Sequence, residues 1–293
     1  MPVIDQRAEI GIQKILLATD FSPVSGVATA YANAIARRFS AEVEAANVVA
    51  LAVAFGWGGA LAPDATDHLR HESEEGLEQV LHDFVGVKAE AKTLEAFSPA
   101  EAILEEAKNT SPDIIVMGTT AKHGMEKIML GSTAEAVIRR APCPVLTVGP
   151  HVPMPANDPL AFRNILYVTD FSPQAQHAAI FALSFAEDSG AHLFLCHVSP
   201  EPQTELCDEL VTDQAIDEAL RKIVPVSAYD WCTPHFVVQH GYTPAAILQL
   251  AEEIAADLIV VGSRKATFWV EHMQTGLTPA ILASTKCPVL TVC

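Results

Sequence analysis

The chain carries one pattern twice, and that duplication limits what it can fold into more than any other feature. Residues 14–23 read K-I-L-L-A-T-D-F-S-P, and residues 164–173 read N-I-L-Y-V-T-D-F-S-P. Near the end of each half, residues 143–148 and 287–292 both read C-P-V-L-T-V. A solenoid unit spans roughly 20–50 residues, and this repeat is far longer. It suits a domain copied in tandem, and 293 residues can give each copy its own core. The expected division is an N-terminal domain at 1–149, a linker at 150–162 with prolines at 150, 153, 155 and 159, and a C-terminal domain at 163–293.

Within each copy, short apolar runs alternate with stretches of helical spacing. In the first copy the pattern predicts strands at 15–19, 42–50, 87–94, 113–118 and 144–148, and helices at 24–39, 68–84, 99–109 and 133–140. Ser22-Pro23 and Ser98-Pro99 each supply an N-cap followed by proline at the first helical position. In the second copy the strands fall at 165–169, 192–198, 235–240, 258–262 and 288–292, with helices at 173–189, 212–224 and 244–255. Nearly pure apolar strands alternating with helices predict the α/β class. Each copy is then a five-stranded parallel sheet covered on both faces.

Composition narrows the function. The formal charge is −18 and both halves are acidic, which works against attraction to nucleic acid or to an anionic membrane. No apolar run approaches the roughly 20 residues of a membrane span. Residues 1–11, with Asp5, Arg7 and Glu9, do not read as a secretory leader. The six cysteines, at 143, 196, 207, 232, 287 and 293, form no C-x-x-C pair and no zinc spacing. Cys143 and Cys287 precede matched apolar strands and are expected to be buried thiols, which fits a reducing cytoplasm. Neither a G-x-S-x-G elbow nor a G-x4-G-K-[ST] loop is present, which argues against a serine hydrolase and a P-loop phosphotransferase.

Ligands of an open parallel sheet collect beyond the carboxyl ends of its strands. Ala18, Thr19 and Asp20 leave the first strand, Met117 and Gly118 leave the fourth, and Gly131, Ser132 and Thr133 open the following helix. Small residues let backbone amides approach an anion, and a helix start adds partial positive charge. Lys122 and His123 would supply local counter-charge. Each feature also has a plainer use: Asp20 or Ser22 as a cap, Gly118 as a turn, Gly131-Ser132 as a second cap. Their meeting on neighbouring strand ends favours a phosphate site.

These residues resemble the universal stress protein family, and the resemblance spans nearly the whole chain as a tandem pair. It rests on the T-D-F-S openings, on D-I-I-V-M-G at 113–118, and on G-S-T-A-E-A-V-I-R-R-A-P-C-P-V-L-T-V at 131–148. The family's nucleotide-binding members carry G-x2-G-x9-G-[ST] after the fourth strand. Gly118 takes the first position here and Gly131-Ser132 the last pair, with Ala121 in place of the middle glycine. The added methyl weakens the cradle without abolishing it; a positive φ there would cost of order 1 kcal/mol.

The resemblance implies two Rossmann-like, adenine nucleotide alpha hydrolase-like domains, paired through their last strands about a pseudo-twofold axis. It implies that Ala18, Thr19 and Asp20 line the adenine and ribose end and that Val48 meets the base. Met117 and Gly118 would border the ribose, and Ala121, Gly131, Ser132 and Thr133 would hold phosphates. ATP is the implied cofactor, with magnesium as its companion ion, though no carboxylate is assigned to a metal. In the second copy Gly262 keeps the first position, but Lys265, Thr275 and Gly276 occupy the others and residues 266–269 are bulky. The expected protein is a cytoplasmic, stress-response ATP-binding regulator with its nucleotide in the N-terminal domain and a structural C-terminal domain. It would form a homodimer and act on a regulatory protein partner. No base is positioned for an attacking water, so no catalytic residue is assigned. A nucleotide-free scaffold and a slow ATPase are the alternatives. On this reading Gly118→Val loses nucleotide while the chain stays folded.

Overall fold

The structure, a computed structural model, describes residues 10–51, 63–119, 122–124, 127–155, 160–199, 206–262 and 277–292. The chain divides into two compact units, Gly11–Leu160 and a second running onward from Ala161. Ile10 belongs to the second unit, its backbone N–H donating to Ser184 Oγ at 3.1 Å.

The first unit runs β1 (Lys14–Ala18), α1 (Pro23–Phe39), β2 (Glu42–Ala50), α2 (Pro63–Leu81), β3 (Ala89–Ala96), α3 (Pro99–Thr110) and β4 (Ile114–Gly118). A small hairpin follows, β5 (Lys122–Gly124) and β6 (Lys127–Met129), then α4 (Ser132–Arg140) and β7 (Val145–Val148). The main sheet is wholly parallel with the order β7-β4-β1-β2-β3. The chain moves outward from β1 to β3 and then returns to β4 on the other side of β1. The order therefore reverses between β1 and β4, where a crevice opens at the strands' carboxyl ends. Right-handed crossovers put α1 and α2 on one face and α3 and α4 on the other.

The second unit repeats the scheme with β8 (Asn164–Val168), α5 (Pro173–Ser189), β9 (His192–Ser199), α6 (Leu206–Arg221), β10 (Thr233–His240), α7 (Thr243–Glu253), β11 (Leu258–Gly262), α8 (Leu277–Ser284) and β12 (Val289–Val292). Its order is β12-β11-β8-β9-β10, again parallel. Both units are thus five-stranded parallel α/β sheets, as the spacing predicts. Ile15, Leu16 and Leu17 in one and Ile165, Leu166 and Tyr167 in the other are fully buried. Tyr167 replaces a leucine, and its hydroxyl is satisfied by donating to the Ala175 carbonyl at 2.6 Å. Burial pushes that phenol up to about 12.

The aspartate that opens each fourth strand serves the fold. Asp113 Oδ2 accepts from the N–H groups of Gln13 at 2.7 Å and Lys14 at 2.9 Å. Asp257 accepts from Arg163 at 2.8 Å and Asn164 at 3.1 Å. Each ties the start of its strand to the first strand of its unit. Asp113→Ala and Asp257→Ala are each expected to cost about 2 kcal/mol in urea unfolding, because two amides lose a charged acceptor. Unchanged midpoints would contradict this role.

The remaining differences from the sequence expectations are local. The hairpin, the 3₁₀ turn at Val226–Asp230 and α8 are too short or too uniformly apolar to show a period. Cys287, Cys196 and Cys232 are buried free thiols, each pushed up to about 12 by burial. Cys143, expected to be buried, is only half-buried, although it holds the place before β7 that the buried Cys287 holds before β12. Among the described residues no helix is long and apolar enough to cross a membrane, and no group of three or more His, Cys, Asp or Glu could hold a metal.

Candidate functional site at the strand-order switch

A cavity of about 290 Å³ opens beyond the carboxyl ends of β1 and β4. Ala18, Thr19 and Asp20 enter it from the end of β1, Val48 from β2, and Met117 and Gly118 from β4. Gly131, Ser132 and Thr133 close it from the start of α4. Nine of the ten residues singled out in the sequence therefore surround one space. The tenth, Ala121, lies outside the described residues, as do Lys265, Thr275, Gly276 and residues 266–269. Lys122 and His123 fall on β5, and nothing is described of their side chains.

The T-D-F-S turn shapes one wall. Phe21 has φ 60°, in the left-handed region that a bulky side chain rarely adopts. Two side chains hold it there: Thr19 Oγ1 accepts from Phe21 N–H at 3.1 Å, and Asp20 Oδ1 accepts from Ser22 N–H at 3.1 Å. Ser22 Oγ then caps α1 by accepting from Ser25 N–H at 3.2 Å. The second unit builds the same turn, with Phe171 at φ 59° and matching bonds from Thr169, Asp170 and Ser172. The repeated letters thus encode a turn first. What the first unit adds is Ser25, whose hydroxyl donates to Asp20 Oδ1 at 2.5 Å, where the second unit has Ala175. Partial burial works to raise the Asp20 carboxyl, but hydrogen bonds from Ser22 and Ser25 outweigh it and hold the group below its ordinary value. Asp20 is therefore an anion at neutral pH.

The opposite wall suits an anion. Gly131 caps α4 without a side-chain hydrogen bond, in contrast to Ser22 on α1 and Ser98 on α3. The first N–H groups of a helix have no intrahelical acceptor, and here Ser132, Thr133 and Ala134 carry them at the cavity edge. Between the walls, Ala18, Ala46, Ile103 and Met117 form an apolar surface. Asn47 borders it with its amide fixed, Nδ2 donating to the Thr19 carbonyl at 2.8 Å. Asn47, Ser25, Pro99, Ile103 and Thr119 line the site without having been singled out. The first two could have been found by laying the two copies over the expected strand order, because Asn47 and Ser25 become His197 and Ala175 in the second copy.

Gly118 has a use the sequence reading did not give it. A Cβ built there would lie 2.9 Å from Ser25 N and 3.0 Å from Val24 C, both backbone atoms of α1. At Gly262 the same construction meets Ala175 N at 2.5 Å. Both glycines let the first helix of their unit press against the fourth strand. The expectation that Gly118→Val leaves the fold intact is therefore corrected: the larger side chain would displace α1 itself.

The base end of the second unit is arranged differently. His197, in Asn47's place, holds the Thr169 carbonyl through Nδ1 at 2.8 Å. The Phe171 ring stacks on that imidazole, with centroids 4.9 Å apart and planes 28° from parallel. In the first unit the corresponding Phe21 ring lies against Gly76 of α2.

Comparison with known proteins agrees with the duplication. The sequence profile of the Universal stress protein family matches residues 11–149 and again 161–292. A universal stress protein of Methanocaldococcus jannaschii is 42% identical over 139 residues, covering 46% of this chain and 81% of that protein. A putative universal stress protein of Staphylococcus epidermidis is 32% identical over 145 residues, covering 47% of this chain and 85% of the relative. Among solved structures, a universal stress protein from Archaeoglobus fulgidus superposes with a TM-score of 0.75 at 25% identity, covering 96% of each chain. A putative universal stress protein from Pseudomonas aeruginosa, 17% identical, shares the fold with a TM-score of 0.61 over 96% of this chain and 92% of its own.

Proposed function

The chain belongs to the universal stress protein family, and we propose that it is a cytoplasmic stress-response regulator that binds ATP in its N-terminal unit and uses its C-terminal unit as a structural partner. The observation that carries this reading is the uncapped start of α4 opening into a cavity whose far wall is the Thr19–Asp20 turn. The residues fit an adenine nucleotide. Ala18, Ala46, Val48 and Met117 offer a flat apolar wall to a base, and Asp20 offers a carboxylate to ribose hydroxyls. The free N–H groups and hydroxyls of Ser132 and Thr133 suit phosphate oxygens. Asp20 is the one carboxylate among the described lining residues, so a companion magnesium ion would be held chiefly by phosphates and water.

ATP supplies a charged ligand whose presence can alter which surfaces the protein offers to a partner, including a second copy of itself. The lining residues hold and orient it, and none is placed as a base for water, so turnover is slow or absent. The Phe171–His197 stack supports an inert second unit, because it sets an aromatic pair at the register position where Asn47 borders the first unit's cavity. A nucleotide-free scaffold is the second reading, favoured by Ala121 where nucleotide-binding relatives carry glycine. Calorimetric titration of the purified chain with ATP tests both: one saturable site is expected. No heat and no thermal shift would leave the scaffold.

A further inference from the structure

Behind the cavity wall the first unit buries a charge cluster that has no counterpart among the described residues of the second unit. Glu44 on β2 and Glu106 on α3 are 3% and 4% exposed. Glu106 Oε1 accepts from Lys92 Nζ on β3 at 2.7 Å. Glu44 has no such bond: Lys14 Nζ on β1 stands 3.9 Å from Oε2, and Oε1 has no hydrogen-bond partner. An ionised carboxylate in that position is costly, whereas a neutral acid beside Glu106 has an acceptor at hand. Burial, and next the negative charge of Glu106, push the Glu44 carboxyl above its ordinary value, with Lys14 and Lys92 offsetting only part.

The strand register defines what faces Glu44. Glu44 pairs with Glu90 and Ala46 with Lys92, which sets all four on the α3 side of the sheet. Thr93, one residue on, points the other way and meets Ser73 of α2. The groups around Glu44 are therefore Lys14 from β1, Glu90 and Lys92 from β3, and Glu106 from α3. Along β2 there is also Glu42, which is paired with Lys88. Ala46, two residues further along the same face, and Ile103, one turn before Glu106, both line the cavity.

The same register in the second unit sets Phe194 at Glu44's position, Val237 at Lys92's and Asn164 at Lys14's. Counting from the helix starts at Pro99 and Thr243, Leu250 stands for Glu106. One architecture thus packs apolar groups where the other buries two acids. The acids are not needed for the fold, and buried charge is seldom retained for stability.

We propose that Glu44 and Glu106 hold a proton between them behind the cavity wall, and that filling the cavity with an anion draws a proton into this pair. The second clause rests on the nucleotide reading above; the first does not. Negative charge arriving across one layer of side chains makes release of the proton costlier, and by linkage the proton strengthens anion binding to the same degree. The sign is fixed. A carboxyl whose folded affinity for a proton is raised contributes stability that is complete below the ordinary glutamate range and is lost as pH rises through the folded value. Anion affinity falls across the same window, at the steepest by up to about tenfold per pH unit for one coupled proton.

Two measurements test it. Urea unfolding without ligand, followed across pH, should show wild type losing stability relative to Glu44→Gln as pH rises. Glu44→Gln should be at least as stable as wild type at alkaline pH, while Glu106→Gln, which strands Lys92, should be less stable throughout. A Glu44→Gln chain weaker than wild type at every pH would make Glu44 an ionised partner of Lys14 and overturn the pair. Calorimetry with ATP in buffers of different ionisation enthalpy, run within the pH window where the unliganded stabilities of the two chains diverge, should show greater proton uptake by wild type than by Glu44→Gln, the phosphate's own contribution being common to both. Equal uptake overturns the coupling. Absence of ATP heat in both chains overturns the nucleotide reading together with the coupling, and the unfolding series still decides the pair.

Discussion

Gly262→Ala is expected to destabilise the chain by about 3 kcal/mol, and Gly118→Ala by about 2 kcal/mol, in urea unfolding at neutral pH. The order follows from distance: the new Cβ would lie 2.5 Å from Ala175 N in the first case and 2.9 Å from Ser25 N in the second. Neither obstacle is a flexible side-chain tip. Both are backbone atoms in the first turn of a helix that is itself capped, by Ser172 and Ser22 respectively. Relief therefore requires moving the helix away from its sheet and loosening the core beneath it. Equal stability of both variants and wild type would mean that helix and strand do not meet as closely as described.

Ala46→Leu is expected to reduce ATP affinity by at least about 100-fold, roughly 2.7 kcal/mol, with little loss of stability. Ala46 is buried and borders the cavity from β2 beside Val48, so the added isobutyl group would grow into space a base would need. The second unit has Cys196 at this register position, fully buried, which shows that the strand accepts a larger side chain there. Equilibrium binding paired with unfolding separates blockage from collapse. Retained affinity would place the ligand elsewhere.

Much of the fold is legible in the letters because the strands are buried on both faces and read as uninterrupted apolar runs. The Ser-Pro pairs before α1 and α3 mark helix starts, and the duplication lets each half check the other. The candidate site was legible at its strand ends, where Ala18–Asp20 and Met117–Gly118 break off apolar runs. It was not legible along its sides. Ile103 reads as an ordinary apolar helix residue, and Asn47 as an odd polar residue in a strand, until β2 and α3 are brought together. The packing role of Gly118 was hidden because two demands select the same residue: approach to a phosphate and approach of a helix. Only the presence of Gly262 in the same contact separates them. The buried acids were the least legible, since Glu44 looks like one more charge in E-V-E-A-A.

What most needs deciding is which unit holds the nucleotide. A crystal grown with excess Mg-ATP tests this most directly. The prediction is density for one nucleotide per chain, with its phosphates at Ser132 and Thr133 and its base beside Ala46 and Val48, and none beside the Phe171–His197 stack. Density in the second unit with an empty first cavity would contradict it.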